Sequence, residues 1–372
     1  MRDPILLTPG PLTTSATVKQ AMLRDWGSRD SAFIAMNAAI RARLPELAGA
    51  SESHVCVPVQ GSGTFAVEAT IGTLLPRGAK LLVLVNGAYG RRMKKIAEVM
   101  GRPVEALEWA EDKPVDPAAL DRRLAEDFDI THVAVVHCET TSGILNPVEA
   151  VAEVVARHGR RLLIDAMSAF GALELDARLA PFDAVAASAN KCLEGVPGLG
   201  FVVCRREALA KAEGNATTLS LDLLDQRRNL EKTGQYRFTP PIHVIVAFHQ
   251  ALQEFWAEGG VAGRGGRYAE NARILIGGMR SLGFETLLPD ALQAPIIATF
   301  RTPSHPNFVF QRFYDSLKDR GYVIYPGKLT VADSFRIGCI GRLYPSHMRG
   351  ALEAVRETLE EMGVALAPAP AA

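Results

Sequence analysis

Five short, nearly all-apolar runs, separated by stretches of helix length, constrain this chain more than anything else in it. Residues 80–86, 132–137, 161–165, 184–187 and 200–204 are rich in Val, Leu, Ile and Ala and show little alternation of polar with apolar positions. Strands read this way when both of their faces are covered, and residues 91–100 and 148–158 have the length and pattern of helices that would cover them. The pattern is that of repeated βαβ units, an α/β fold built on a mainly parallel sheet with helices on both sides. The connection 193–200 departs from it. It holds Gly195, Pro197, Gly198 and Gly200 and is too short for a crossover helix, so the strand after it is expected to run antiparallel.

Two of these strands end in charge. The run 182–191 closes with Ser188, Ala189, Asn190 and the single cation Lys191, and 161–165 delivers the carboxylate of Asp165. A lysine at the mouth of a buried strand is poorly solvated, which should lower its ammonium pKa and free the amine to form a Schiff base. Taken alone, the same lysine could as well snorkel at a strand end. Taken with Asp165, it suits a cofactor that needs an amine anchor and an anion for its ring nitrogen, and pyridoxal 5'-phosphate needs both.

Further candidates fall at the ends of the same elements. Gln60, Gly61, Ser62, Gly63 and Thr64 precede an apolar helical stretch, 65–75. Glycines that admit backbone amides, hydroxyls that donate and a helix N-terminus together make a phosphate cup; a plain turn with an N-cap reads the same way, and the lysine of a P-loop is absent. Tyr89 follows the strand 80–86, where an aromatic could stack on a flat ring or cover the sheet edge. Thr140, in the stretch 137–143, places a hydroxyl at that same edge, while Thr141 and Ser142 could cap the turn before Pro147. Arg336 is flanked by apolar residues in a strand-like run; its guanidinium suits a carboxylate or phosphonate, or else a structural salt bridge.

Composition excludes other classes. Lys plus Arg and Asp plus Glu both total 41, so no basic excess recommends a nucleic-acid surface. Five scattered cysteines without a CxxC pair argue against a disulfide framework and a zinc site, and a reducing cytoplasm is expected. The histidines show no metal spacing, no Gly-x-Ser-x-Gly elbow occurs, and no apolar run is long enough for a bilayer. At 372 residues roughly two domains are expected. Residues 1–15 read as an arm, because Pro9, Gly10 and Pro11 can neither continue a helix nor feed a sheet ladder, and 16–258 as the large cofactor-binding domain. The glycines from Gly259 to Gly266 mark a boundary or a helix terminus. Beyond them 259–372 reads as a smaller α+β C-terminal domain, with helices at 267–282, 308–320 and 345–362, strands at 296–300 and 334–337, and a frayed Ala/Pro tail from 365.

The order of cup, aromatic, hydroxyl, Asp165, Lys191 and distant Arg336 resembles the class V branch of the fold-type I pyridoxal phosphate enzymes. The likeness runs from Leu6 to about Met362 and is carried by residues 6–22, 139–147, 165–171, 188–202, 325–328 and 335–341. Within the class these stretches are most similar to 2-aminoethylphosphonate:pyruvate aminotransferases. The resemblance implies a seven-stranded sheet in the large domain, Lys191 holding the cofactor and Asp165 pairing with its ring nitrogen. It implies phosphate binding by Ser62, Gly63 and Thr64, ring contacts from Tyr89 and Met167, and polar contacts from Thr140 and Asn190. Arg336 would bind the anionic small-molecule substrates, 2-aminoethylphosphonate and pyruvate. Tyr236 and Thr239 fall where relatives reach into a partner's site, which implies a homodimer with shared active sites. Alanine:glyoxylate or serine:pyruvate transfer is the alternative within the family, and a lyase or desulfurase a more distant one.

Overall fold

All five apolar runs are strands, and two more join them in one sheet, as the family resemblance implied. The structure, a computed structural model, describes residues 3–327, 329 and 332–367. The strands lie in the order His54–Gln60, Leu199–Arg205, Ala184–Ser188, Arg161–Asp165, Ile130–Val136, Lys80–Val85 and Val104–Glu108. Only Leu199–Arg205 runs antiparallel to its neighbours, as its short connection requires. The two strands that periodicity did not reveal have their own reasons. His54–Gln60 opens on a histidine and carries Pro58; His54 is nevertheless buried, with its ring against Phe182 and Nε2 3.0 Å from the Phe182 carbonyl oxygen. Val104–Glu108 is an edge strand, only partly buried, so its residues need not be apolar.

Alternate residues of the strands enter opposite layers, which is why the runs must be apolar throughout. In Lys80–Val85, Leu82 and Leu84 join the layer that contains Val133, Val135, Ile164 and Phe201, whereas Leu81, Val83 and Val85 join Ala134, Val136 and Leu163 under the helix Gly63–Leu74. Every parallel strand therefore ends on one rim: Gln60, Val85, Val136, Asp165 and Ser188 are brought to the same edge.

A separate core gathers Phe284, Phe300, Phe308, Phe313 and Phe335 around a three-stranded sheet of Ile297–Arg301, Ser334–Gly338 and Tyr325–Pro326. The glycine cluster does not form a linker. Gly259, between the helices Ile242–Ala257 and Gly260–Ser281, and Gly260, which opens the second, adopt positive φ, and the remaining glycines lie inside the second helix. There they permit close approach: a Cβ on Gly265 would stand 2.3 Å from the Ala172 carbonyl oxygen. That helix places Tyr268 in the first core and Leu275 and Met279 in the Phe core, so it joins the two. The arm is held as well: Ile5–Leu6 pairs with Tyr322–Val323 and Leu7 is buried in the Phe core. Lys328, in the stretch 325–328, and the end of the tail, 368–372, lie outside the described residues.

Candidate active site

A cavity of about 210 Å³ opens at the rim where the parallel strands end. Ser62, Gly63, Thr64, Tyr89, Thr140, Asp165, Met167, Asn190 and Lys191 all line it, so nine residues singled out from the sequence meet at one place. Tyr236, Thr239 and Arg336 do not line it.

The helix Gly63–Leu74 points its N-terminus into this cavity. Ser62 occupies the N-cap position in extended conformation, but its side chain makes no capping bond, so the turn-with-N-cap reading is not what forms. Amides at the first turn of a helix carry roughly half a positive charge between them and attract an anion when no side chain caps them. Arg92, on the helix Ala88–Val99, adds a full charge beside them: it donates to Thr64 Oγ1 at 3.2 Å and lies 4.9 Å over the Tyr89 ring. Gly63 has no room for a side chain, since a Cβ there would meet Met167 Sδ at 2.4 Å. The cup is thus bounded by an uncapped helix end, an arginine and a thioether, a fit for a phosphate attached to a flat ring.

Asp165 is the most buried of the charged residues that line the cavity. It is 5% exposed, its Oδ1 accepts from the Met167 amide at 3.0 Å, and burial pushes its carboxyl up to about 6 from 3.8 despite that bond. The Glu139 carboxylate pushes the same way, while Arg92 and Lys191 oppose it. Such an anion gains by meeting a cation inside the cavity, and a protonated ring nitrogen is one. Ser188 Oγ, on the adjacent strand, is buried on the cavity wall with no partner among the described atoms.

Lys191 is partly buried, and its amine donates to the Pro9 carbonyl oxygen at 2.5 Å. The turn that carries it is fixed from behind. Cys192 O accepts from Arg264 Nη1 at 2.6 Å and from the Tyr268 hydroxyl at 3.2 Å, and Glu194 Oε1 accepts from Tyr268 at 2.7 Å and Arg267 at 2.6 Å. Glu194 sits at φ 57, a conformation that this buried ion-pair cluster holds in place.

Two residues that sequence reasoning passed over prove central. Glu139, fully buried, accepts from the Tyr89 and Gly90 amides at 3.0 and 3.3 Å and from both the amide and the hydroxyl of Thr141. It therefore fixes the start of the Tyr89 helix, while burial raises its own pKa. Nothing local marks Glu139 apart from its place beside Thr140. Arg92 could have been found from its position three residues after Tyr89, one helical turn on.

Arg336 stands behind the wall. It is 1% exposed and donates to the Thr140 carbonyl oxygen at 2.8 Å and the Pro326 carbonyl oxygen at 3.2 Å. No carboxylate forms an ion pair with it among the described residues, so the salt-bridge reading is not realised, and burial lowers its pKa. Of the pair expected to reach a partner, Thr239 is exposed, but Tyr236 is not. Its ring is packed in the core of its own chain and its hydroxyl is buried, because the apolar ring gains more from that layer than from solvent.

A family model described as aminotransferase class-V matches residues 15–327. A 2-aminoethylphosphonate–pyruvate transaminase of Pseudomonas fluorescens is 56% identical over 361 residues, covering 97% of this chain and 98% of that protein. Another bearing that description, from Burkholderia lata, is 55% identical over 370 residues, 100% of this chain and 98% of its own. Among solved structures, pyridoxamine–pyruvate aminotransferase from Mesorhizobium loti superposes with a TM-score of 0.89 at 26% identity, covering 98% of this chain and 94% of that one. An alanine–glyoxylate aminotransferase from Nostoc sp. reaches 0.90 at 24% identity over 96% of each, a likeness of fold alone.

Proposed function

The chain belongs to the class V aminotransferases, and from that premise we propose that it moves the amino group of 2-aminoethylphosphonate to pyruvate, giving phosphonoacetaldehyde and L-alanine. The observation that carries this reading is the cavity in which Lys191, Asp165 and the uncapped helix end at Ser62–Thr64 converge, close to a buried arginine that has no carboxylate partner among the described residues. Relatives described by this activity match over nearly the full length of the chain, and they supply the identity of the amine donor.

The enzyme is a pyridoxal phosphate-dependent transaminase. Bound in the cavity, the cofactor supplies an electron sink that makes the proton on the amine-bearing carbon of a substrate acidic. Lys191 would hold the cofactor covalently and, once freed, take that proton and return it. Asp165 would keep the ring nitrogen charged, and the Asp165 anion would in turn be relieved of the desolvation that raises its pKa. Ser62, Gly63 and Thr64, with Arg92, would bind the phosphate; Tyr89 and Met167 would confine the ring, and Thr140 and Asn190 would contact its polar edge. Arg336 would bind the phosphonate of one substrate and the carboxylate of the next in turn, which requires it to exchange its Thr140 and Pro326 carbonyl contacts for the anion, since it stands behind the cavity wall. The phosphonate lies one bond farther from the reacting carbon than a carboxylate does, so that contact must tolerate both lengths.

Two chains would share their sites. Thr239 is exposed, and so are Phe65, next to the cup, and Phe238, at 48% and 46%, both lining one groove that a second copy could cover. We place the enzyme in the cytoplasm, in keeping with five cysteines that are all free and buried. Their burial also disfavours a desulfurase, because the Cys192 and Cys339 thiols are each pushed up to about 12, away from the thiolate that a persulfide carrier needs.

Mixing purified holoenzyme with 2-aminoethylphosphonate in the absence of pyruvate should release one equivalent of phosphonoacetaldehyde per site. Alanine or serine serving as the faster donor would overturn the choice of substrate. Replacing Lys191 with alanine should abolish turnover, and unchanged turnover in that variant would remove its role.

A further inference from the structure

The N-terminal arm lies directly against the reacting lysine. Pro9 O accepts from Lys191 Nζ, and a Cβ built on Gly10, at φ +124, would stand 2.8 Å from Nζ and 3.0 Å from Cδ. The turn is braced by Thr8, which is 1% exposed: its hydroxyl donates to the Pro11 carbonyl oxygen at 2.5 Å and accepts from the Gly10 amide at 3.3 Å, so it closes the turn across Pro9. The arm is also joined to the strand that carries Arg336. The Gly338 amide donates to Leu7 O at 2.9 Å, and a Cβ on Gly338 would meet Thr8 O at 2.4 Å.

We propose that the Pro9 carbonyl is the resting acceptor for the Lys191 amine whenever that amine is not bonded to the cofactor, with Thr8 the residue that positions it. The proposal rests on Lys191 as the cofactor's anchor. Turnover would require Lys191 to leave the cofactor, and an amine released into a partly buried site is costly unless it finds a hydrogen bond. A backbone carbonyl can only accept, so it engages the amine through an N–H and not through the lone pair. A carboxylate in the same place would hold the lysine as ammonium and oppose its use as a base. Because Gly338 follows Arg336 by two residues on one strand, the arm links the resting place of the amine to the element that would bind the substrate anion. The arm itself makes and breaks no covalent bond.

Thr8→Val removes both bracing hydrogen bonds at nearly constant volume, and Thr8→Ser keeps them. In the full-length, cofactor-free enzyme at neutral pH, labelling of Lys191 by acetic anhydride, followed on its peptide by mass spectrometry, should accelerate about threefold in Thr8→Val. The ammonium loses an acceptor that favours it. Asp165, Cys138 and Cys192, which also feel the Lys191 charge, are untouched by the change. In the holoenzyme kcat should fall about tenfold with KM for both substrates nearly constant, as expected for a misplaced reacting group. Thr8→Ser should restore both readouts. If Thr8→Val does not fold, Gly10→Ala, which intrudes on the lysine itself, should alter Lys191 labelling in place of it. Wild-type labelling in a folded Thr8→Val, whatever its kcat, or in Gly10→Ala, overturns the proposal. Labelling needs no substrate, so failure of the aminoethylphosphonate half-reaction would refute the choice of donor without touching the arm.

Discussion

Replacing Asp165 with Asn should make the cofactor-free protein more stable while crippling the enzyme. Asn keeps the shape and the acceptor for the Met167 amide, and it removes only the charge. In the fold the carboxyl is raised from 3.8 to about 6 by burial, so the folded state prefers it protonated. Below about pH 4 the group is protonated whether folded or unfolded and costs nothing extra; as pH rises through about 6, keeping it ionised inside the fold costs the difference. At about 1.4 kcal/mol per unit, a shift of roughly two units is worth about 3 kcal/mol. Urea unfolding of the cofactor-free proteins, at one protein concentration, should therefore show Asp165→Asn more stable by about 3 kcal/mol at pH 8, with the gap closing toward pH 4. Loading the cofactor should reverse the order, because the ring nitrogen supplies the cation that the buried anion lacks. Turnover of the variant should drop by about a hundredfold or more, since an amide cannot sustain that charge. A gap that is the same at pH 4 and pH 8, or a wild type more stable at pH 8 without cofactor, would refute the account of Asp165 as a desolvated anion awaiting a partner.

Glu139→Gln leaves one acceptor oxygen where two were used and turns an amide NH₂ toward backbone donors, which should cost about 2 to 4 kcal/mol and weaken cofactor retention. Thermal melting and cofactor titration check this, and an unchanged cofactor affinity would count against Glu139 as the support of the Tyr89 helix. Arg336→Lys keeps the charge but loses the fork and the contact with the Thr140 carbonyl oxygen, so KM for the phosphonate and for the keto acid should both rise about tenfold or more. Steady-state kinetics with each substrate varied in turn would expose a rise in only one of them, which would mean that the two anions do not share this arginine.

The sequence by itself determined the sheet and the two charges at its rim. Strands buried on both faces must be apolar throughout, so runs such as 161–165 and 184–187 were legible, and Asp165 and Lys191 stood out as charged groups closing them. The short connection after Lys191 likewise disclosed the antiparallel strand. Where burial was partial, as in Val104–Glu108, or where His54 and Pro58 broke the apolar run of a buried strand, the pattern weakened and the strand was hidden. Only the tertiary structure decided which local reading applied. It left Ser62 without a cap bond, gave Arg336 no carboxylate among the described residues, turned Tyr236 inward and started a helix at the glycines that read as either a boundary or a helix terminus. It alone brought Glu139 to the amides of Tyr89 and Gly90, and Pro9 to the Lys191 amine, 182 residues away along the chain. Periodicity reports how a segment meets the core. A hydrogen bond between distant segments depends on the path of the whole chain, and no local pattern records it.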